Sequence, residues 1–113
     1  MASSADKFWK AADRWRRARS SITVELESSG GAFRLETFTG KVSLVREPEV
    51  FFLTAKGERS LNFAKAEIRV VGCERSEIAE IVCRFRAALS NDEEPGLVLA
   101  TLTELRKPVG ALN

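Results

Sequence analysis

The sequence contains no histidine, no tyrosine and only two cysteines among its 113 residues. Without imidazole or phenol, the chain lacks side chains that often transfer protons in enzymes, and a His-assisted serine or cysteine nucleophile cannot be assembled. Cys73 and Cys83 have no further cysteine and no histidine with which to complete a zinc site. These absences predict a protein that is not an enzyme and that binds no metal and no cofactor.

Long apolar runs are also absent. No stretch approaches the roughly 18 apolar residues of a membrane-spanning helix, and the charged N-terminus is unlike a secretory signal. Two cysteines form at most one disulfide, so we expect reduced thiols and a cytoplasmic location. The composition, 44% hydrophobic and 30% charged, is typical of a folded chain, and the length predicts a single domain over residues 1–113.

The first segment has the pattern of an amphipathic helix over residues 5–18. Ser3 is a suitable N-cap residue, and apolar residues follow it at helical spacing. These residues are Phe8, Ala11, Ala12, Trp15 and Ala18. Trp9 lies at the edge of this stripe, where its indole either packs sideways or contacts a partner.

Between residues 21 and 71 apolar residues alternate with polar ones, which is typical of half-buried strands. The strands are too close together for helical crossovers, so we predict a meander of five or six antiparallel strands. The apolar run 50–53 favours a central strand covered on both faces. Because such sheets twist, we expect a curled sheet or small half-barrel.

The C-terminal third is predicted to contain a second amphipathic helix over residues 76–89. Its core-facing stripe is Ile78, Ile81, Val82, Phe85 and Leu89. Residues 97–105 fit either a strand or a short helix, and residues 107–113 are expected to form a frayed tail. The predicted fold class is therefore α+β, with an antiparallel sheet between two helices.

The strands resemble known small barrels. The run from Ile22 to Leu26, followed by a glycine turn, is similar to the first hairpin of Sm-like RNA-binding barrels. The segments 40–44 and 68–71 resemble early strands of pleckstrin-homology and GRAM barrels. These resemblances imply a barrel-like architecture and no functional residue.

Basic residues are concentrated in the first helix. Residues 1–20 carry a net charge of +4, whereas the rest of the chain carries −2. The six basic side chains are Lys7, Lys10, Arg14, Arg16, Arg17 and Arg19. They form either a solvated outer face or a contact surface for an anionic partner, because guanidinium groups match phosphates and carboxylates geometrically. On the strands, Glu25, Glu27 and Glu36 are expected beside Arg34 and Lys41 as cross-strand charge pairs.

The leading hypothesis is therefore a non-catalytic binding or assembly module that acts through protein–protein contacts. The contact would be made by the first helix or by an open sheet edge, to another protein or to a second copy of the chain. The alternative is binding of RNA or DNA through the same arginines. Single-stranded RNA would also need an exposed aromatic residue on the sheet, for which Phe38, Phe51 and Phe52 are the candidates.

Overall fold

A computed structural model describes residues 3–28, 34–71, 80–90 and 97–106 of the chain. Within these ranges the fold is α+β, with one helix and a seven-stranded antiparallel sheet. The elements are α1 Ser4–Ala18, β1 Ser21–Ser28, β2 Arg34–Arg46, β3 Glu49–Thr54, β4 Gly57–Asn62, β5 Glu67–Val70, β6 Glu80–Ser90 and β7 Leu97–Arg106. No helix in the described part of the chain has the length and apolarity needed to cross a membrane.

Helix α1 is fixed at both ends by local hydrogen bonds. The backbone N–H of Asp6 donates to Ser3 Oγ at 3.1 Å, and the Ser3 N–H donates to an Asp6 carboxylate oxygen at 3.3 Å. This capping box satisfies amides that the first helical turn leaves free. At the other end Arg19 adopts a left-handed conformation, with φ of 54°, and its N–H donates to Trp15 O. The helix predicted for residues 5–18 is confirmed.

The order of strands in the sheet is β4-β3-β2-β1-β7-β6-β5, so consecutive strands β4 and β5 form its two opposite edges. In a flat sheet these edges would lie roughly 29 Å apart, since neighbouring strands are spaced by about 4.8 Å. The connection 63–66 can reach across at most about 18 Å. The sheet must therefore curl strongly. It stays unclosed, because β4 and β5 do not pair with each other among the described strands.

The core lies between α1 and the concave face of this curled sheet. Phe8 and Trp15 of α1 are fully buried, and each packs edge-on against Phe85 of β6, with ring centroids 5.4 and 5.8 Å apart. Phe8 also contacts Phe63 at 4.7 Å. Trp9 packs sideways against Phe8 and Phe63, which is the first of the two positions predicted for its indole. Burial of rings of this size stabilises the fold by roughly 2–3 kcal/mol each.

The second predicted helix is wrong. Residues 80–90 form strand β6, which pairs with β7 along its length and with β5 along part of it, while residues 72–79 lie outside the described residues. Phe85, Ala87 and Leu89 are buried, and Arg86 between them is exposed. Phe85 and Leu89 belong both to this alternating buried set and to the stripe of the predicted helix. The spacing of apolar residues therefore could not distinguish a strand from a helix here.

The predicted five or six strands are also an undercount, because the described residues form seven. The ambiguous segment 97–105 is a strand, β7, and it lies between β1 and β6 near the middle of the sheet. The apolar run 50–53 belongs to β3, next to an edge, so Val50 and Phe52 are buried while Leu53 is 59% exposed. Coverage on both faces was therefore a wrong expectation. The predicted tail 107–113 lies outside the described residues.

Candidate functional site

The six basic residues predicted as a contact surface do not form one site. Lys7, Lys10 and Arg14 lie on the flank of α1 that faces β6. Arg16 and Arg19 lie on the flank that faces β2 and β3. The remaining residue is Arg17, which is exposed. The burial of Phe8, Ala12 and Trp15 separates these two flanks, because the buried stripe of the helix runs between them.

The first flank borders an open groove of about 310 Å³ between α1 and β6. Lys7, Lys10 and Arg14 form its cationic side, at positions i, i+3 and i+7 of one helix face. Its remaining lining residues are Ala11, Cys83 and Phe85. We call this feature the basic groove. It combines positive charge with an apolar floor.

A buried carboxylate anchors this groove. Glu104 of β7 is only 8% exposed, and its Oε1 accepts hydrogen bonds from Arg14 Nη2 at 2.6 Å and from Trp15 Nε1 at 2.8 Å. Cys83 Sγ donates to the same oxygen at 3.3 Å. Because the buried indole N–H would otherwise lack a partner, Glu104 joins α1 to the sheet. It also neutralises Arg14, which leaves two lysines as the excess charge of the groove.

The Cys83 thiol is a poor nucleophile. Burial raises its pKa to about 12, and the hydrogen bond to the Glu104 carboxylate acts in the same direction. The reactive form of cysteine is the thiolate, which such a pKa makes very scarce at neutral pH. The position of Cys83 therefore supports packing and not nucleophilic chemistry.

Asp13 neutralises part of the second flank and of the outer face of α1. Arg16 Nη2 and Arg17 Nε each lie 3.1 Å from one of its carboxylate oxygens. Together with the Arg14–Glu104 pair, this places three of the six predicted cations in ion pairs. Lys7, Lys10 and Arg19 form none with any residue that the structure describes. The charge available to a partner is smaller than the sequence suggests.

The second flank borders a depression of about 420 Å³ at the C-terminal end of α1. It is lined by Arg16, Arg19, Lys41, Val42, Ser43 and Leu53. Lys41 of β2 is a cation that the sequence did not connect with the helix. Strand register decides which sheet residue lies beside the end of the helix. The proximity of Lys41 to Arg16 and Arg19 therefore could not be predicted from the sequence.

Glu36 pairs with Arg59 of β4 and not with the expected Lys41. The other expected cation, Arg34, stands opposite Glu27 in the register of β1 and β2. Arg59 Nη2 donates to Glu36 Oε2 at 2.7 Å, and this interaction holds the pKa of the Glu36 carboxyl below its ordinary value. The same guanidinium lies 4.9 Å from the centroid of the Phe38 ring. Glu36 therefore stays ionised at neutral pH, which makes it unsuited to act as a general acid.

The candidate aromatic platform is not formed by the predicted phenylalanines. Phe52 is buried, and Phe38 is half-buried between Arg59 and Phe52, whose ring lies 5.7 Å away. Phe51 is half-buried on the convex face of the sheet. Single-stranded RNA is recognised by stacking on open aromatic faces, and these rings do not provide a row of them.

A further basic pair was missed because residues 76–89 were predicted as a helix. Arg69 of β5 and Arg86 of β6 stand directly opposite each other, and both are exposed on the convex face. They border a depression of about 300 Å³ together with Glu67, Ala88 and Leu99. Like charges directly opposite across strands destabilise a sheet, so this pair is electrostatically unfavourable in isolation.

Comparisons with known proteins give no relative of this chain. No protein-family model matches it, and no curated protein and no solved structure matches it either. The described residues also contain no group of three or more acidic or cysteine side chains that could hold a metal ion. The function of the chain has to be inferred from the geometry of its own surfaces.

Proposed function

We propose that the chain is a non-catalytic binding module that docks onto an acidic segment of another protein through the basic groove. The observation that carries this proposal is the position of Lys7 and Lys10, which make no ion pair within the described residues and border an apolar floor. Cationic groups around an apolar strip complement a segment that carries both carboxylates and apolar side chains. Such complementary charges select the partner and speed its association.

The dimensions of the groove fit a short segment. From Lys7 to Arg14 the helix rises by roughly 10 Å, at 1.5 Å per residue. Two turns of a partner helix, or three to four residues of an extended chain, cover the same length. A partner with acidic residues at helical spacing would therefore place its carboxylates opposite the cations of the groove.

Two observations favour a protein partner over a nucleic acid at this groove. Arg14, Arg16 and Arg17 already form ion pairs with two carboxylates of the chain itself, Glu104 and Asp13, which reduces the charge that α1 can offer to phosphates. The groove floor, formed by Ala11, Cys83 and Phe85, offers contacts to apolar side chains that a phosphate backbone cannot use.

Binding of a labelled acidic peptide tests the proposal. The probe is a synthetic helical peptide with glutamates at i, i+3 and i+7 and leucines on the adjacent face, measured by fluorescence polarisation at low and high salt. The variant Lys7→Glu with Lys10→Glu should bind about tenfold or more weakly, because both partner charges become repulsive. The matched control is Arg46→Glu with Lys65→Glu, which changes the net charge equally outside the groove and should leave the affinity within about twofold.

Two outcomes would overturn the proposal. One is equal affinity of the peptide for the groove variant and for the control variant. The other is tight binding of a generic single-stranded RNA or duplex DNA that the groove substitutions abolish, together with no binding of the peptide.

Nucleic-acid binding is a second candidate function, favoured by the opposed Arg69–Arg86 pair. A phosphate between two guanidinium groups would remove their mutual repulsion and accept bidentate hydrogen bonds from each. If this surface binds nucleic acid, Arg69→Gln with Arg86→Gln should abolish an RNA or DNA gel shift at low salt. The groove variant should leave that shift unchanged, so the two candidate functions are separable.

A further inference from the structure

Strand β2 extends beyond its neighbour β3. It pairs with β1 from its beginning, but it pairs with β3 only from Gly40 to Arg46. The chain leaves β3 at Thr54, opposite Gly40, and turns into β4. Residues 36–39 of β2 therefore have no strand on their β3 side among the described residues.

The register of β3 and β4 fixes the direction in which the backbone groups point. Phe63 N donates to Pro48 O at 2.8 Å, and these two residues stand opposite each other in the continuation of the β3–β4 register. In an antiparallel pair, residues that exchange hydrogen bonds alternate with residues that do not. The backbone N–H and C=O groups of the even-numbered residues of β3 thus point toward β4. The backbone groups of the odd-numbered Leu53 point toward β2, where its register partner is Lys41.

The same alternation continues along β2. Because Lys41 directs its N–H and C=O toward β3, Gly40 and Phe38 direct theirs toward β1. Thr39 and Thr37 direct theirs to the open side. Both threonines are exposed, and neither forms a backbone hydrogen bond on that side within the described residues. The N–H and C=O groups of Thr37 and Thr39, four in all, are consequently available to pair with an added strand.

A preformed slot adjoins these groups. It has a volume of about 200 Å³ and is lined by residues 36–39 of β2, by the β3–β4 turn and by Arg59. The turn is held by its own hydrogen bonds, from Lys56 N to Thr54 Oγ1 at 3.1 Å and from Thr54 Oγ1 to Gly57 O at 2.7 Å. Arg59 lies over the Phe38 ring and fixes the inner wall. The slot is therefore bounded by a hydrogen-bonded turn on one side and by the Arg59–Phe38 contact on the other.

The charge of the slot complements an acidic residue. Glu36 and Arg59 neutralise each other, whereas Lys56 makes no ion pair within the ranges that the structure covers. The net charge of the lining is therefore positive, and it is located at the turn. A strand running antiparallel to β2 would begin at this end.

We propose that the slot binds an extended segment of a partner protein by β-strand addition, with Thr37 and Thr39 as the pairing residues and an acidic residue of the segment beside Lys56. The added strand continues the line of β3 and exchanges hydrogen bonds with both threonines. β-Branched side chains suit it, because its outer residues lie beside threonines and its middle residue packs against Phe38. This inference does not rest on the basic groove, which lies on a different part of the molecule.

Amide hydrogen exchange with a defined peptide tests the inference. The probe is the acetylated and amidated hexapeptide Glu-Thr-Val-Thr-Val-Thr, added at millimolar concentration to the full chain. The amides of Thr37 and Thr39 should exchange fast in the free protein and about tenfold or more slowly with peptide. Phe38 is already hydrogen-bonded to β1, so its exchange should change little. The variant Lys7→Glu with Lys10→Glu should show the same protection, which separates this site from the groove.

Two matched changes distinguish backbone pairing from side-chain contact. Thr37→Pro removes an N–H that points to the open side, where a sheet tolerates proline, and should weaken peptide binding about tenfold. Thr37→Val keeps the N–H and should bind as the natural protein does. If Thr37→Pro fails to fold, a peptide N-methylated at alternate residues provides the same comparison on the natural chain. Absence of protection at Thr37 and Thr39, or equal binding of the N-methylated peptide, would overturn the inference.

Discussion

Substitution of Glu104, a buried carboxylate on β7, should destabilise the fold more than the loss of an exposed charge would. Its carboxylate is the shared acceptor for the buried Trp15 indole, the Arg14 guanidinium and the Cys83 thiol. Glu104→Ala removes all three hydrogen bonds at once. Glu104→Gln keeps one oxygen that can accept from Trp15 but removes the negative charge.

The magnitudes follow from the burial of each partner. Leaving the fully buried indole N–H of Trp15 without an acceptor costs about 1–3 kcal/mol. Arg14 is half-exposed and can rehydrate, so the loss of its ion pair adds no more than about 1 kcal/mol. We therefore expect Glu104→Ala to lower the free energy of unfolding by about 2–4 kcal/mol, a large part of the 5–15 kcal/mol usual for a domain. Glu104→Gln should cost about 1 kcal/mol.

Urea unfolding followed by circular dichroism measures these losses as shifts of the midpoint at unchanged slope. A double-mutant cycle with Trp15→Phe isolates the central hydrogen bond, because phenylalanine has no N–H to be left unsatisfied. In that background Glu104→Ala should cost about 1–2 kcal/mol less than in the natural chain. Equal costs in the two backgrounds, or a loss below about 0.5 kcal/mol for Glu104→Ala, would refute the assigned role of this carboxylate.

Three further outcomes are expected. Gly40→Ala should lower the free energy of unfolding by about 1–3 kcal/mol in the same urea assay, since the new Cβ would lie 2.9 Å from a backbone carbonyl oxygen of β3; a midpoint equal to that of the natural chain would contradict this packing. In a Cys73→Ser background, Cys83 should react with iodoacetamide at pH 8 about a thousandfold more slowly in the folded than in the unfolded chain, because folding raises its pKa from 9.0 to about 12. For the same reason the free energy of unfolding should fall as the pH rises from 9 toward 12, since the thiol of the unfolded chain ionises first. Similar alkylation rates in the two states would contradict the burial of the thiol. Arg59→Gln should raise the pKa of Glu36 toward its ordinary value in an NMR titration, because the guanidinium hydrogen bond is the main cause of the lowered value; an unchanged pKa would show that the pair does not persist in solution.

The sequence is sufficient to predict the helix and the class of the sheet. Ser3 and Asp6 cap α1 through local contacts, and the helical stripe of Phe8 and Trp15 is the face that becomes buried. The alternation between residues 21 and 71 likewise produces antiparallel strands. Strand β6 was not predictable in this way, because Phe85 and Leu89 satisfy both a helical and an extended period, and pairing with β7 decides between them.

The candidate sites depend on contacts that no local pattern contains. The sequence identifies the basic residues of α1, but Arg14 is neutralised by Glu104, which lies 90 positions away in the chain. The pairing of Glu36 with Arg59 and the opposition of Arg69 to Arg86 are likewise consequences of strand order. Charge patterns along a sequence thus indicate where cations are, and only the fold shows which of them remain available.

The place of β7 in the sheet has a consequence for biosynthesis. This strand is the last described segment of the chain, yet it inserts between β1, which follows the first helix, and β6. As the chain emerges from the ribosome, β1 to β4 can pair in order, but the other edge of β1 stays unpaired until β7 has emerged. We expect the nascent protein to leave one edge of β1 unpaired, and open to aggregation, until β7 has been synthesised, and to depend on chaperones during that interval.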